Sequence, residues 1–135
     1  MTRERSILVV DDDKEMVEEV SHLLTDAGYS VTAANDGIKG DELLSANTYD
    51  LVMLDLKMPG MDGFTVLKRL KERNSAAKAI VVTARPLYCD LMDGPEAVSD
   101  EENDILNMAE AIVIKPYDVE AMLNLIKSLT DKSET

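Results

Sequence analysis

Two hydrophobic periods alternate along the 135 residues, and that alternation constrains the fold more than any other feature. Ile7-Leu8-Val9-Val10 is an unbroken apolar run, β-branched at three of its four positions. Such a run suits a strand buried on both faces, as in a parallel sheet. Met16, Val17, Val20, Leu23 and Leu24 follow at i, i+1, i+4, i+7 and i+8, one face of a helix that Gly28 can stop. Ser30 to Ala34 predicts a weaker strand, and residues 36–46 a helix. Leu51-Val52-Met53-Leu54 is a second core run. Pro59-Gly60 and Asp62-Gly63 then mark a loop. The next helix carries Phe64, Leu67 and Leu70 and closes in Lys68-Arg69-Lys71, where cations suit the negative end of its dipole. Ile80-Val81-Val82 and Ile112-Val113-Ile114 predict the fourth and fifth core strands. The last helix presents Val119, Met122, Leu123, Ile126 and Leu129 on one face. Charged residues 130–135 are expected to loosen, with a frayed tail at 131–135.

Strand and helix thus alternate about five times, which implies an α/β fold of parallel strands with helices on both faces. No internal repeat and no Pro/Gly/Ser linker divides the chain. One domain over residues 1–135 is expected, with its core at about 5–130.

Charge narrows the function. Asp and Glu number 27 against 14 Lys and Arg, a net charge of −13. That balance disfavours nucleic acid and anionic membranes as direct partners. A hydrophobic share of 45% excludes a disordered acidic chain. The lone Cys89 excludes an internal disulfide framework and a Cys-rich zinc site, and fits a reducing compartment. His22 is the only histidine, so no two-histidine metal site can form within the chain. No apolar run approaches the ~20 residues of a membrane span, and the N-terminus lacks the pattern of a signal peptide. A cytoplasmic protein is expected. The acidity is concentrated: residues 86–110 hold eight of the acids and no Lys or Arg. They make the connection from the fourth to the fifth strand long, and Gly94-Pro95 should interrupt any helix in it.

In open α/β sheets, ligands bind beyond the carboxyl ends of the strands. Here those ends carry Asp11-Asp12-Asp13, Asp55, Thr83-Ala84 and Lys115-Pro116. Each has an ordinary reading alone. An acidic run before a helix caps it, as expected of Asp13, while Asp55, Thr83 and Lys115 are ordinary strand-end groups. Asp36 and Asp41 read as a helix start and a solvent-facing charge, His22 as a surface residue, and Cys89 as an incidental thiol. Met58 and Met61 are open to partner contact. Taken together, the strand ends describe chemistry. Asp11, Asp12 and Asp55 side by side would repel one another, and a hard divalent cation such as Mg²⁺ removes that conflict. Lys115 suits a phosphoryl oxygen or a carboxylate. With no Ser-His or Cys-His pair, a carboxylate is the best nucleophile for phosphoryl transfer.

Those residues, in that order and spacing, resemble the receiver domain of bacterial two-component response regulators, including the chemotaxis regulators. The matching residues are Val10-Asp11-Asp12, Leu54-Asp55, Met58-Pro59-Gly60-Met61-Asp62-Gly63, Thr83-Ala84 and Lys115-Pro116. The resemblance runs over about residues 5–130. It implies a flavodoxin-like, doubly wound sheet of five strands in the order 2-1-3-4-5. It implies Asp55 as phosphoacceptor, with Asp12 on Mg²⁺ directly and Asp11 partly through water. Lys57 would offer its backbone carbonyl to the metal, Thr83 its hydroxyl to the phosphoryl group, and Lys115 a neutralising charge. The Lys115-Pro116 bond would be cis. It further implies Mg²⁺-dependent transfer from a phosphohistidine on a sensor histidine kinase or phosphotransfer protein, followed by slow self-catalysed hydrolysis.

Two departures stand out. The family places Tyr or Phe three residues before its Lys, and here that position is Ile112. Thr83 and Lys115 lie 32 positions apart, well beyond the family's usual connection. Signalling is therefore expected to use the acidic 86–110 face, toward a downstream protein or a second copy. Lys57 and Arg85 flank the expected path of the hydrolytic water and would lengthen the life of the acyl phosphate. Two other readings remain: an unphosphorylated interaction module on the same fold, and an aspartyl-nucleophile Mg²⁺ phosphatase. The phosphatases usually carry D-x-D after the first strand, unlike Asp11-Asp12. A stand-alone regulator and a receiver cut from a longer protein read alike.

Overall fold

The computed structural model describes residues 5–56, 58, 61–73, 77–83, 104–115 and 117–131. The apolar runs form the strands expected of them: β1 (Ser6–Val10), β2 (Ser30–Ala34), β3 (Leu51–Asp55), β4 (Lys78–Thr83) and β5 (Ala111–Ile114). All pair in parallel, in the order β2-β1-β3-β4-β5. The helices are α1 (Lys14–Asp26), α2 (Gly37–Ala46), α3 (Gly63–Glu72) and α4 (Val119–Asp131). Residues 104–106 add a helical turn before β5.

Strand alternation sorts the core into two layers. Leu8, Val10, Val52, Leu54 and Val81 face α2, α3 and the turn at 104–106. Ile7, Val9, Leu51, Met53, Ile80 and Val82 face α1 and α4. Helices therefore cover both faces, as the sequence implied. Local chemistry starts and stops them. Asp13, Asp36 and Asp62 are N-caps whose carboxylates accept the amide hydrogens of Met16, Lys39 and Thr65. Each such cap is worth about 1 kcal/mol. Gly28 follows α1 with φ +100°, the left-handed turn that glycine allows without a Cβ penalty.

Four expectations need correction. β5 is only partly buried: it takes the edge place that the order 2-1-3-4-5 gives it, and Ile114 is 43% exposed. Thr130 does not loosen; it is buried within α4, donating its hydroxyl to the Ile126 carbonyl and meeting the Tyr29 hydroxyl at 3.2 Å. Met58 is buried in the layer under α3, not open to a partner, while Met61 is partly buried against it. Asp41 faces the protein, because guanidinium groups from α3 and from Arg73, which follows it, meet a carboxylate there. Arg73 Nη2 and Arg69 Nε reach Asp41 Oδ1 at 2.7 and 3.1 Å. Asp41→Ala is expected to lower stability by about 2 kcal/mol, read from the urea midpoint. Most of that comes from Arg73, since Arg69 is half exposed and its pair is screened.

Two acids of the long connection lie in described residues. Asp104 is exposed, but Glu110 anchors the entry to β5. Its backbone N–H donates to the Ala79 carbonyl at 2.9 Å, and its carboxylate accepts the Ala79 N–H at 2.7 Å and the Lys71 ammonium at 3.3 Å. Residues 86–103, with Cys89, lie outside the described residues, as do 132–135. Among the described residues no helix is long and apolar enough to cross a membrane.

Candidate functional site

Parallel register gathers the carboxyl ends of β1, β3, β4 and β5 at one edge. Val10 pairs with Leu54, Asp55 with Val82, and Thr83 with Ile114. Asp11 leaves β1 with its N–H bonded to the Ala34 carbonyl, and Lys115 leaves β5 with its N–H bonded to Thr83 O at 2.7 Å. The backbone thus fixes where each polar side chain starts.

Asp11, Asp12 and Asp55 each present a carboxylate oxygen, and these oxygens lie within 4.8 Å of one another. Asp11 is 2% exposed and Asp55 6%, whereas Asp12 faces solvent. Lys115 joins the buried pair, its Nζ 3.1 Å from Asp11 Oδ2 and 3.6 Å from Asp55 Oδ2. The other oxygen of Asp11 accepts the Asp13 N–H at 3.0 Å. Both Asp11 oxygens are therefore engaged by the chain itself.

Burial pulls the Lys115 ammonium down, but the charges of Asp55 and Asp11 outweigh it and leave its pKa above the ordinary value. The contribution of this charge to stability is complete below the unfolded pKa and is lost only as pH rises through the folded one. Lys115 is thus a fixed cation at neutral pH.

Thr83 ends β4 at 2% exposure, on the same edge. Ile112 lies two positions before Ile114 on β5, partly buried against the α2/α3-side layer that holds Ile105 and Leu106. Lys57, Arg85 and Pro116 lie outside the described residues. Tyr117, which no motif singles out, feels the charge of the same site. Burial first, then the charges of Asp11, Glu19 and Asp13, push its phenol up from 10.0 to about 12. The unfolded chain gives up that proton first, so stability should fall as pH rises from about 10 toward 12. Tyrosinate absorbance of the native protein should show Tyr117 ionising in that upper range. Tyr117→Phe should remove that step.

Comparison with known proteins is decisive on family. Residues 7–127 match the family model described as the response regulator receiver domain. The chain belongs to that family. It is 37% identical over 130 residues to the DNA-binding dual master transcriptional regulator RpaA of Synechocystis sp., covering 95% of this chain and 50% of that protein. It is 34% identical over 127 residues to the transcriptional regulatory protein DltR of Streptococcus agalactiae, covering 94% and 52%. The chain thus spans about half the length of these relatives. Among solved structures, a CheY-like receiver domain protein from Methanospirillum hungatei superposes with a TM-score of 0.82 at 27% identity, over 98% of both chains. TrrA from Thermotoga maritima, solved in complex with Mg²⁺-BeF, gives 0.74 at 28% identity, over 93% of this chain and 98% of that one. This receiver therefore has the flavodoxin-like fold and a response-regulator role in two-component signalling.

Proposed function

We propose that this receiver is a phosphoryl-accepting switch, with Asp55 taking the phosphoryl group from a sensor histidine kinase or phosphotransfer protein. The observation that carries the reading is the meeting of three carboxylates within 4.8 Å, beside one bridging ammonium among the described residues. One cation cannot balance three acids, and an all-oxygen donor set suits Mg²⁺. Asp12 and Asp55 would hold the ion directly. Asp11 would hold it through water, because both of its oxygens already have protein partners. Bound Mg²⁺ supplies positive charge against the carboxylates and the incoming phosphoryl oxygens.

The chain's own groups do the rest. A carboxylate oxygen of Asp55 attacks phosphorus, the phosphorus–nitrogen bond of the donor breaks, and the freed imidazole nitrogen takes a proton from water. Lys115, already within reach of Asp55, neutralises the phosphoryl charge. Thr83 stands at the adjacent strand end to donate its hydroxyl. Water attack on phosphorus later returns inorganic phosphate and the free carboxylate. Phosphorylation biases a two-state equilibrium of the surrounding loops. Ile112 has no ring to carry the family's aromatic signal, so output passes through the 86–110 face.

Acetyl phosphate with Mg²⁺ should add one phosphoryl group per chain, and chelation should prevent it. Sustained turnover of p-nitrophenyl phosphate would instead make the protein a phosphatase. No uptake from acetyl phosphate and no turnover of p-nitrophenyl phosphate would make it an unphosphorylated interaction module.

A further inference from the structure

Two segments of the acidic site meet one corner of the fold, the turn between β2 and α2. Ala34 ends β2, and its carbonyl accepts the Asp11 N–H at 3.1 Å. Three residues later Gly37 opens α2, with Asp36 as the N-cap. A methyl group on Gly37 would fall on the Met61 carbonyl oxygen, with the Met61 carbonyl carbon at 2.7 Å and its Cβ at 3.1 Å. The two nearest atoms are backbone, so no rotamer change relieves the contact. Gly37 does not have a positive φ, so the demand here is for space rather than for backbone freedom. Met61 belongs to the connection that leaves Asp55, and the neck of that connection is closed. The Gly63 N–H donates to the Leu56 carbonyl at 2.9 Å, and Gly63 itself presses on the backbone of Asp55 and Leu56. Close backbone packing thus runs from Gly37 to Met61, and two residues further on from Gly63 to Asp55. The β2–α2 corner touches the Asp11 segment through Ala34 and the Asp55 segment through Gly37.

We propose that Gly37 is a positioning residue that sets the spacing of Asp11 and Asp12 from Asp55, and so tunes the cluster to Mg²⁺ over the larger Ca²⁺. This rests on the metal-site reading above. Mg²⁺ demands a near-ideal octahedron with oxygens at about 2.0–2.1 Å, whereas Ca²⁺ accepts irregular shells at about 2.3–2.6 Å. A small shift of one carboxylate relative to the others therefore costs Mg²⁺ more than Ca²⁺. The three carboxylate oxygens already lie within 4.8 Å of one another, and the strands alone do not hold them there. Asp11 and Asp12 lie beyond the end of β1, and Asp55 is the last residue of β3. The corner at Gly37 braces both segments from outside the sheet.

The test is calorimetric titration of the full chain with Mg²⁺ alone and with Ca²⁺ alone, at a temperature where circular dichroism shows each variant folded. Gly37→Ala should bind Mg²⁺ about tenfold more weakly than wild type, as when a group that orients metal ligands is disturbed. Its Ca²⁺ affinity should stay within about threefold. Gly28→Ala has nothing within 4 Å of its added methyl and strains only its own backbone, so it should keep the wild-type preference between the ions. Asp36→Ala loosens the same corner without adding an atom at the contact, because it removes the oxygen that accepts the Lys39 N–H at 2.8 Å. It should shift the preference toward Ca²⁺ by about threefold, and Asp36→Asn, which keeps a capping oxygen, should restore it. This second pair decides the matter if Gly37→Ala does not fold. An unchanged preference in Gly37→Ala or Asp36→Ala, an equal loss for both ions, or the same shift in Gly28→Ala would overturn the proposal. A wild-type chain that binds neither ion would overturn the metal-site reading itself, and this proposal with it.

Discussion

Gly63→Ala is expected to lower the unfolding free energy by about 3 kcal/mol and the melting temperature by about 10 °C. Gly63 opens α3 where the helix presses against the end of β3. A methyl group there would meet the Asp55 carbonyl oxygen, with Leu56 Cα at 2.7 Å and the Asp55 carbonyl carbon at 2.9 Å. All three atoms are backbone, so no rotamer change relieves the contact. The Gly63 N–H also donates to the Leu56 carbonyl at 2.9 Å, which holds the two segments together. The substitution must push α3 away or shift Asp55, and either disturbs the acidic cluster. Phosphoryl uptake should therefore fall together with stability. Gly28→Ala is the control: nothing lies within 4 Å of its added methyl, and only the φ of +100° resists. It should cost about 1 kcal/mol and leave phosphoryl uptake unchanged. Urea denaturation of both variants, with acetyl-phosphate uptake measured in parallel, separates the two effects.

Lys115→Met is expected to cost about 3 kcal/mol in the absence of divalent metal. Its Nζ is the shared partner of Asp11 and Asp55, whose side chains are almost fully enclosed. Methionine keeps most of the stem's packing and removes the charge. Two buried carboxylates then face each other without the ammonium, the costly way to break a buried ion pair. The figure lies at the low end of that range because part of the Lys115 side chain reaches solvent. Added Mg²⁺ should recover part of the loss, since it supplies the missing positive charge and binds only the folded cluster. Phosphoryl uptake should fall even with Mg²⁺ present, because the ammonium within reach of both Asp11 and Asp55 is gone. Chemical denaturation with and without Mg²⁺ checks the first two outcomes, and intact mass the third. A variant as stable as wild type without metal would show that solvent already screens this cluster.

The strands were legible because burial on two faces leaves few residue choices. Ile7–Val10, Leu51–Leu54 and Ile80–Val82 could hardly do anything else. Acidic N-caps and Gly28 placed the helix ends for the same reason: their chemistry is local. The polar cluster was legible at one remove, through the rule that strand ends converge. Hidden were the contacts between elements distant in sequence. Nothing near Asp41 announces that Arg69 and Arg73 will close over it from the end of another helix. Ile112-Val113-Ile114 has the composition of a buried strand, and its partial exposure follows from the edge place that the family resemblance, not its own residues, implied. Tyr117 was hidden because its ring reads as ordinary core. Only the folded chain shows that its hydroxyl is buried without a partner among the described residues.

The central claim is that Asp55 accepts a phosphoryl group, and intact mass spectrometry tests it most directly. Wild type and Asp55→Asn, treated alike with acetyl phosphate and Mg²⁺, should differ by one phosphoryl mass. The wild-type adduct should disappear with hydroxylamine, as an acyl phosphate does. A wild-type chain that gains no mass, or an Asp55→Asn chain that gains as much as wild type, would contradict the account.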